Sequence, residues 1–112
     1  MGLARGDRWD RHGGVRIMDV HGRVVRAFVV LAEELHFSRA ARILFVSQPT
    51  LSKQMKALER TLGVPLFVRD HAGVRLAPSG EAFLPHARQI LLAWEGARQA
   101  VEGCAREPDE GA

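Results

Sequence analysis

A single cysteine, Cys104, stands in the 112-residue chain, so no internal disulfide can close and the fold must be held by packing alone. That usage suits a reducing cytoplasm. No apolar run approaches the roughly 18 to 20 residues of a membrane span, and the N-terminus has no apolar stretch of the kind that opens a secretory signal. The expectation is a soluble cytoplasmic protein with no membrane association. The five histidines, His12, His21, His36, His71 and His86, never fall at metal-ligand spacing, and there is no glycine-rich phosphate loop or nucleophile motif. No metal, no cofactor and no small-molecule effector site are therefore expected, and the chain reads as something other than an enzyme.

What is present is an ordinary globular composition, 46% hydrophobic and 26% charged, on a length that allows one compact domain. The net charge of +3 is modest, but it is unevenly spread. Residues 18–76 hold nine Lys and Arg against five Asp and Glu, whereas residues 77–112 hold three against six. A basic segment followed by an acidic one suggests a polyanion-binding unit joined to a part that does not touch the polyanion.

Residues 1–17 have four glycines and no apolar period, and they read as a flexible extension that ends where Met18 offers an alternative start. From Asp19, the residues Val24, Ala27, Phe28, Leu31, Ala32 and Leu35 recur every three or four positions and mark one face of a first helix. Ser38 is a candidate N-cap for a short second helix, whose Ala40 and Ala41 allow close approach of a neighbour. After a break at Phe45 and Val46, Ser47 is the cap candidate for a third helix. Pro49 falls in its first turn, and Gly63 supplies a left-handed stop. Residues 66–69 and 74–76 read as two strands around a loop at 70–73. The fold class is thus mainly α: a winged helix-turn-helix of three helices and a two-stranded wing over 18–76, a long helix over 77–105, and a frayed acidic tail at 106–112.

A short helix, a tight turn and a capped longer helix form the arrangement that lays a recognition helix across the major groove of DNA. On a helical wheel, Leu51, Met55, Leu58 and Leu62 share one side of the third helix, leaving Gln48, Pro49, Ser52, Lys53, Lys56 and Arg60 on the other. Gln48 can pair bidentately with adenine, Ser52 with several bases, and Lys53 with guanine or phosphate. Ser38, Arg39, Thr50, Lys56 and Arg69 are candidate phosphate contacts. Singly, each of these residues suits a cap or a solvated surface. The combination in this order carries the reading.

The stretch 32–91 resembles the N-terminal domain of LysR-type transcriptional regulators almost without a gap, most specifically in VSQPTLSKQ at 46–54 and LGVPLFVR at 62–69. The resemblance implies a sequence-specific regulator of transcription bound to double-stranded DNA. It implies that Gln48, Pro49, Thr50, Ser52 and Lys53 lie against the major groove, that Ser38 and Arg39 meet the backbone, and that Arg69 lies beside the minor groove or its phosphates. The wing loop departs from many members in having Ala72 where they carry a second basic residue. Members usually continue into an effector-binding domain, for which 112 residues leave no room.

From Pro78, the residues Phe83, Ala87, Ile90, Trp94, Ala97, Val101 and Cys104 alternate spacings of four and three, the pattern of a coiled-coil seam. Such a stripe needs cover, either from its own domain or from a partner. The resemblance implies antiparallel pairing with the same helix of a second subunit, giving a homodimer on a palindromic operator. Two rivals stand beside this reading: a truncated interaction module acting through mixed dimers with full-length relatives, and a DNA-compacting protein without sequence preference.

Overall fold

A computed structural model describes residues 14–106, with side-chain surroundings from 22 to 105. In chain order the elements are α1 (Gly14–Glu34), α2 (Phe37–Leu44), α3 (Gln48–Leu62), β1 (Phe67–Asp70), β2 (Gly73–Leu76) and α4 (Pro78–Arg106). This is the mainly helical winged helix-turn-helix with a long following helix that the patterning suggests. The segments 1–13 and 107–112, which hold most of the expected extension and tail, lie outside the described residues. Helix α1 begins at Gly14, ahead of Met18, so the last part of the expected extension is helical.

Helix α1 buries Val24, Ala27, Phe28, Leu31 and Ala32, the apolar stripe that its three- and four-residue spacing defines. It stops where Leu35 turns left-handed (φ 50°) and its amide bonds to the Leu31 carbonyl at 2.7 Å. The cap of α2 is His36 rather than Ser38: the His36 Nδ1 accepts the Arg39 amide at 3.1 Å. Because α2 starts two residues earlier than Ser38 suggested, Ser38 is already helical and its hydroxyl is free for another partner. Phe45 then takes the left-handed conformation (φ 59°), and the Val46 amide reaches back to the Ala41 carbonyl at 3.0 Å. These bonds close a Schellman-type end.

Both ends of α3 form as its sequence signals. The Ser47 hydroxyl accepts the Thr50 amide at 3.2 Å, Pro49 occupies the first turn, and Gly63 (φ 78°) ends the helix with its amide on the Glu59 carbonyl. Leu51, Met55 and Leu58 are buried against α1, while Ala40 and Ala41, also buried, let α2 approach. Phe28 lies at the centre of this core. Its ring, fully buried, sits 5.4 Å from that of Phe67 on β1 and 5.0 Å from that of Phe83 on α4, so one α1 side chain joins wing and long helix. Each tilted aromatic pair contributes about 0.5–1.5 kcal/mol beyond its area.

The wing pairs antiparallel with Phe67 opposite Leu76 and Asp70 opposite Gly73, leaving a two-residue turn of His71 and Ala72. The loop is shorter than the four residues expected, since Asp70 and Gly73 join the ladder. Asp70 shapes the turn: its carboxylate accepts the Ala72 amide at 2.9 Å and pairs with Arg75 at 3.1 Å. These contacts, the Arg75 hydrogen bond first, hold its carboxyl below the ordinary carboxylate range.

The Ala77 amide bonds to the Leu66 carbonyl at 2.9 Å and the Ser79 hydroxyl bonds to the Pro65 carbonyl, fastening the start of α4 to the residues that lead into β1. Gly80 is buried directly against the Leu66 carbonyl, with no room for a Cβ. Further along, the Arg88 guanidinium meets the Glu33 carboxylate of α1 at 3.2 Å. The expected seven-residue seam on α4 divides into two faces. Ala87 is fully buried and Phe83 and Leu91 pack on the domain's own core, at spacings of four. Ala87 is thus covered within the chain, whereas Phe83 is half-buried, packing on the core while also lining a groove with Ile90 and Trp94. Ile90, Trp94 and Val101 remain exposed, at 46%, 59% and 68%, together with Ala97 and the Cys104 thiol.

Candidate nucleic-acid interface

The first turns of α3 present the polar side chains that the wheel assigned to the outer face. Gln48, Pro49, Thr50, Lys53 and Lys56 are exposed and Ser52 is half-buried, while Leu51 and Met55, on the opposite side, are buried. The split follows from the helical repeat: the same rotation that sends Leu51, Met55 and Leu58 inward turns Lys53 and Lys56 outward.

Ser38 and Gln48 are brought together across the helix-turn-helix. The Gln48 Nε2 donates to the Ser38 hydroxyl at 3.1 Å. One amide hydrogen is used, leaving the Gln48 carbonyl oxygen and a second N–H, which are the acceptor and donor an adenine edge requires. The Ser38 hydroxyl hydrogen stays available as a donor. Beside them, the hydroxyls of Ser47 and Thr50 bond to each other at 3.0 Å, which fixes Thr50 on the helix's leading edge.

Several of the cations are already paired within the chain. Arg39, expected on the DNA backbone, is occupied: its guanidinium meets the Glu34 side chain at 3.2 Å and the Glu34 carbonyl at 3.1 Å, closing the end of α1. Arg75, Arg88 and Arg98 also hold carboxylates. Among the described residues, no ion pair engages Lys53, Lys56 or Arg69. These three flank the exposed polar edge of α3. Arg69 instead lies over the ring of Phe37, 4.1 Å from its centroid.

Several contributors have no local signal in the sequence. The Glu59 carboxylate accepts the amides of Leu66 and Phe67, at 2.8 and 3.4 Å, and so moors the wing to α3. The stacking of Arg69 on Phe37 joins residues far apart in the chain. The Arg39–Glu34 pair, in contrast, has a local charge pattern that hints at it. Among the described residues no cluster of His, Cys, Asp and Glu is arranged to hold a metal, and no helix is long and apolar enough to cross a membrane.

Three packed helices, a two-stranded wing and an exposed polar edge on the third helix define a winged helix-turn-helix of the DNA-binding class. Residues 23–81 match the family described as bacterial regulatory helix-turn-helix protein, lysR family, and the chain belongs to that family. It is 48% identical over 84 residues to the HTH-type transcriptional regulator BudR of Klebsiella aerogenes, covering 75% of this chain and 59% of that one. It is 49% identical over 85 residues to the Hca operon transcriptional activator HcaR of Escherichia coli K12, covering 76% of this chain and 29% of the relative. The chain thus spans less than two thirds of either curated relative. Among solved structures, the DNA-binding domain of CbnR in complex with DNA superposes with a TM-score of 0.70 at 39% identity, covering 75% of this chain and 97% of that domain.

Proposed function

We propose that this LysR-type DNA-binding domain reads specific DNA sequence with α3 and acts as a homodimer to regulate transcription in the cytoplasm, without catalysing a reaction. Gln48, Pro49, Thr50, Ser52 and Lys53 face the bases of the major groove. Ser38, Lys56 and Arg69 meet phosphates, and Arg39 reaches them only by leaving Glu34. The exposed stripe Ile90, Trp94, Ala97 and Val101 on α4 pairs with its counterpart in a second copy, setting two α3 helices on successive turns of a palindrome, about 34–36 Å apart.

The observation that carries this reading is the edge itself. Lys53, Lys56 and Arg69 are exposed cations without an ion pair among the described residues, set around a Gln48 whose remaining donor and acceptor point to no protein partner there. The N-terminus of α3 adds the partial positive charge that favours a nearby phosphate. The DNA-bound state of the CbnR domain supports the same use of the fold.

Selection of bound duplexes from a random library by the purified chain tests the proposal. The expected result is an enriched palindrome in which Gln48→Ala relaxes preference at one position of each half-site by about 1–3 kcal/mol. Lys56→Ala should weaken binding to every sequence alike and lower the salt slope by about one. Equal affinity for the enriched and random duplexes at one salt concentration would overturn base reading and favour a DNA-compacting role.

A further inference from the structure

We infer that Phe37 is a positioning residue of the DNA interface, its ring serving as the platform that holds the Arg69 guanidinium of the wing beside the recognition helix. The inference rests on the reading of Arg69 as a backbone contact. Phe37 opens α2 and packs partly against the core, so its place is set by the domain. Its ring meets Arg69 at 4.1 Å, well inside the roughly 6 Å over which a ring face attracts a cation. Arg69 lies near the end of the short strand β1 and is exposed. Among the described residues it has no hydrogen bond or ion pair from its guanidinium, so the stacking on Phe37 is the contact that orients it.

The surroundings show why orientation matters. Phe37 and Arg69 line one cleft of about 130 Å³ with Ser52, Lys56 and Glu59. Glu59 is the carboxylate a loose arginine would seek, yet its Oε2 is turned to the Leu66 and Phe67 amides. Arg69 does not pair with it and stays on the ring, alongside the Lys56 and Ser52 of α3. An arginine left unplaced would give up several freely rotating bonds on meeting a phosphate, whereas one already stacked gives up fewer. Guanidinium suits this role because its plane stacks on a ring while its edge N–H groups remain free to donate. Phe37 thereby couples wing and recognition helix, so that the two cations reach the backbone as one unit.

The test is a double-mutant cycle on the full chain, read by fluorescence anisotropy with a mixed-sequence duplex of about three helical turns, roughly 30 base pairs. Phe37→Leu keeps the apolar bulk and removes the ring, and it should weaken binding roughly two- to fivefold. Phe37→Tyr should restore affinity. On an Arg69→Ala background, Phe37→Leu should cost nothing more. In the free protein, the ring-current shift of the Arg69 Nε–H signal should vanish in Phe37→Leu and return in Phe37→Tyr, a readout that general loosening of the core does not reproduce. If Arg69→Ala weakens binding while Phe37→Leu has no effect, or if the two losses simply add, the positioning role is overturned alone. If Arg69→Ala binds like the unaltered chain, the backbone-contact reading of Arg69 is overturned and this inference with it.

Discussion

Gln48, the first residue of α3, donates from Nε2 to the hydroxyl of Ser38 on α2 at 3.1 Å, so the leading side chain of the recognition helix is tied to the helix beside it before any ligand arrives. The bond lies on the surface and adds about 0.5–1.5 kcal/mol at most to stability. Its larger effect is on geometry, because it selects one Gln48 rotamer and leaves one donor and one acceptor outward. Ser38→Ala should therefore change the melting temperature only slightly while relaxing the base preference at the Gln48 position of each half-site. Titrations of matched and mismatched duplexes check this, and unchanged discrimination in Ser38→Ala would sink the coupling.

Glu59 should be among the most costly polar residues to remove. Its carboxylate accepts both the Leu66 and Phe67 amides, in a part-buried site whose Leu66 is almost fully covered. Glu59→Ala strands both donors, at a cost of about 1–3 kcal/mol for an unsatisfied buried group. For a domain of this size, that lowers the melting temperature by several degrees, roughly 4–8 °C per kcal/mol. A melt within a degree of the parent would show that water replaces the carboxylate without loss.

Phe45 points the other way. It sits at φ 59° with 93% of its surface exposed, so its side chain contributes almost no burial while its backbone bears the left-handed penalty. That penalty is roughly 1–2 kcal/mol, against the roughly 0.5–1 kcal/mol of extra chain entropy that glycine loses on folding. Phe45→Gly should thus raise stability by up to about 1.5 kcal/mol, measured by urea denaturation. A loss of stability would mean that the ring is held by contacts absent from the single chain.

The difference between Ser47 and Ser38 shows how far the sequence could be read. Ser47, Pro49 and Gly63 bound α3 as their types require, because helix caps are local chemistry. Ser38 has the same residue type, yet His36 caps α2 through its ring nitrogen, and nothing local tells the two apart. The α4 stripe is ambiguous for a related reason. Spacings of four and three are the same whether a helix faces a partner or its own core, and only tertiary proximity shows that Ala87 is covered at home and that Phe83 packs on Phe28. The polar edge of α3 was legible from helical periodicity, whereas the contacts that arrange it, Gln48 to Ser38, Arg69 to Phe37 and Glu59 to the wing, depend on tertiary proximity that no window of sequence contains.

Asp70 gives the wing a defined acid response. Its carboxyl is held below the ordinary range chiefly by the Arg75 hydrogen bond, then by the Ala72 amide. A depressed folded-state value means that the contribution is fully present above the ordinary aspartate range and is lost as the pH falls through the lower, folded-state value. The Ala72 amide should accordingly stay protected at a pH where a free aspartate is half protonated, and lose protection only in stronger acid. Asp70→Asn should abolish that transition in amide NMR spectra, and a transition persisting in the variant would place its origin elsewhere.

The α4 stripe yields the last prediction. With Ala87 fully covered, the large exposed apolar residues of the expected stripe are Ile90, Trp94 and Val101, of which Trp94 has the largest side chain. A charge placed there must be desolvated without a counter-ion if the helices pair, whereas on a free helix it sits in water at no cost. Trp94→Asp should therefore yield a monomer in sedimentation experiments without lowering the melting temperature of the winged domain itself. Binding to a two-half-site duplex should fall toward that of a single half-site, since the linked second contact is what raises the avidity. Ala87→Asp makes the contrast: its side chain is fully buried within the chain, so it should unfold the domain rather than merely separate two copies. A Trp94→Asp chain that sediments as the parent dimer would exclude this face of α4 as the seam.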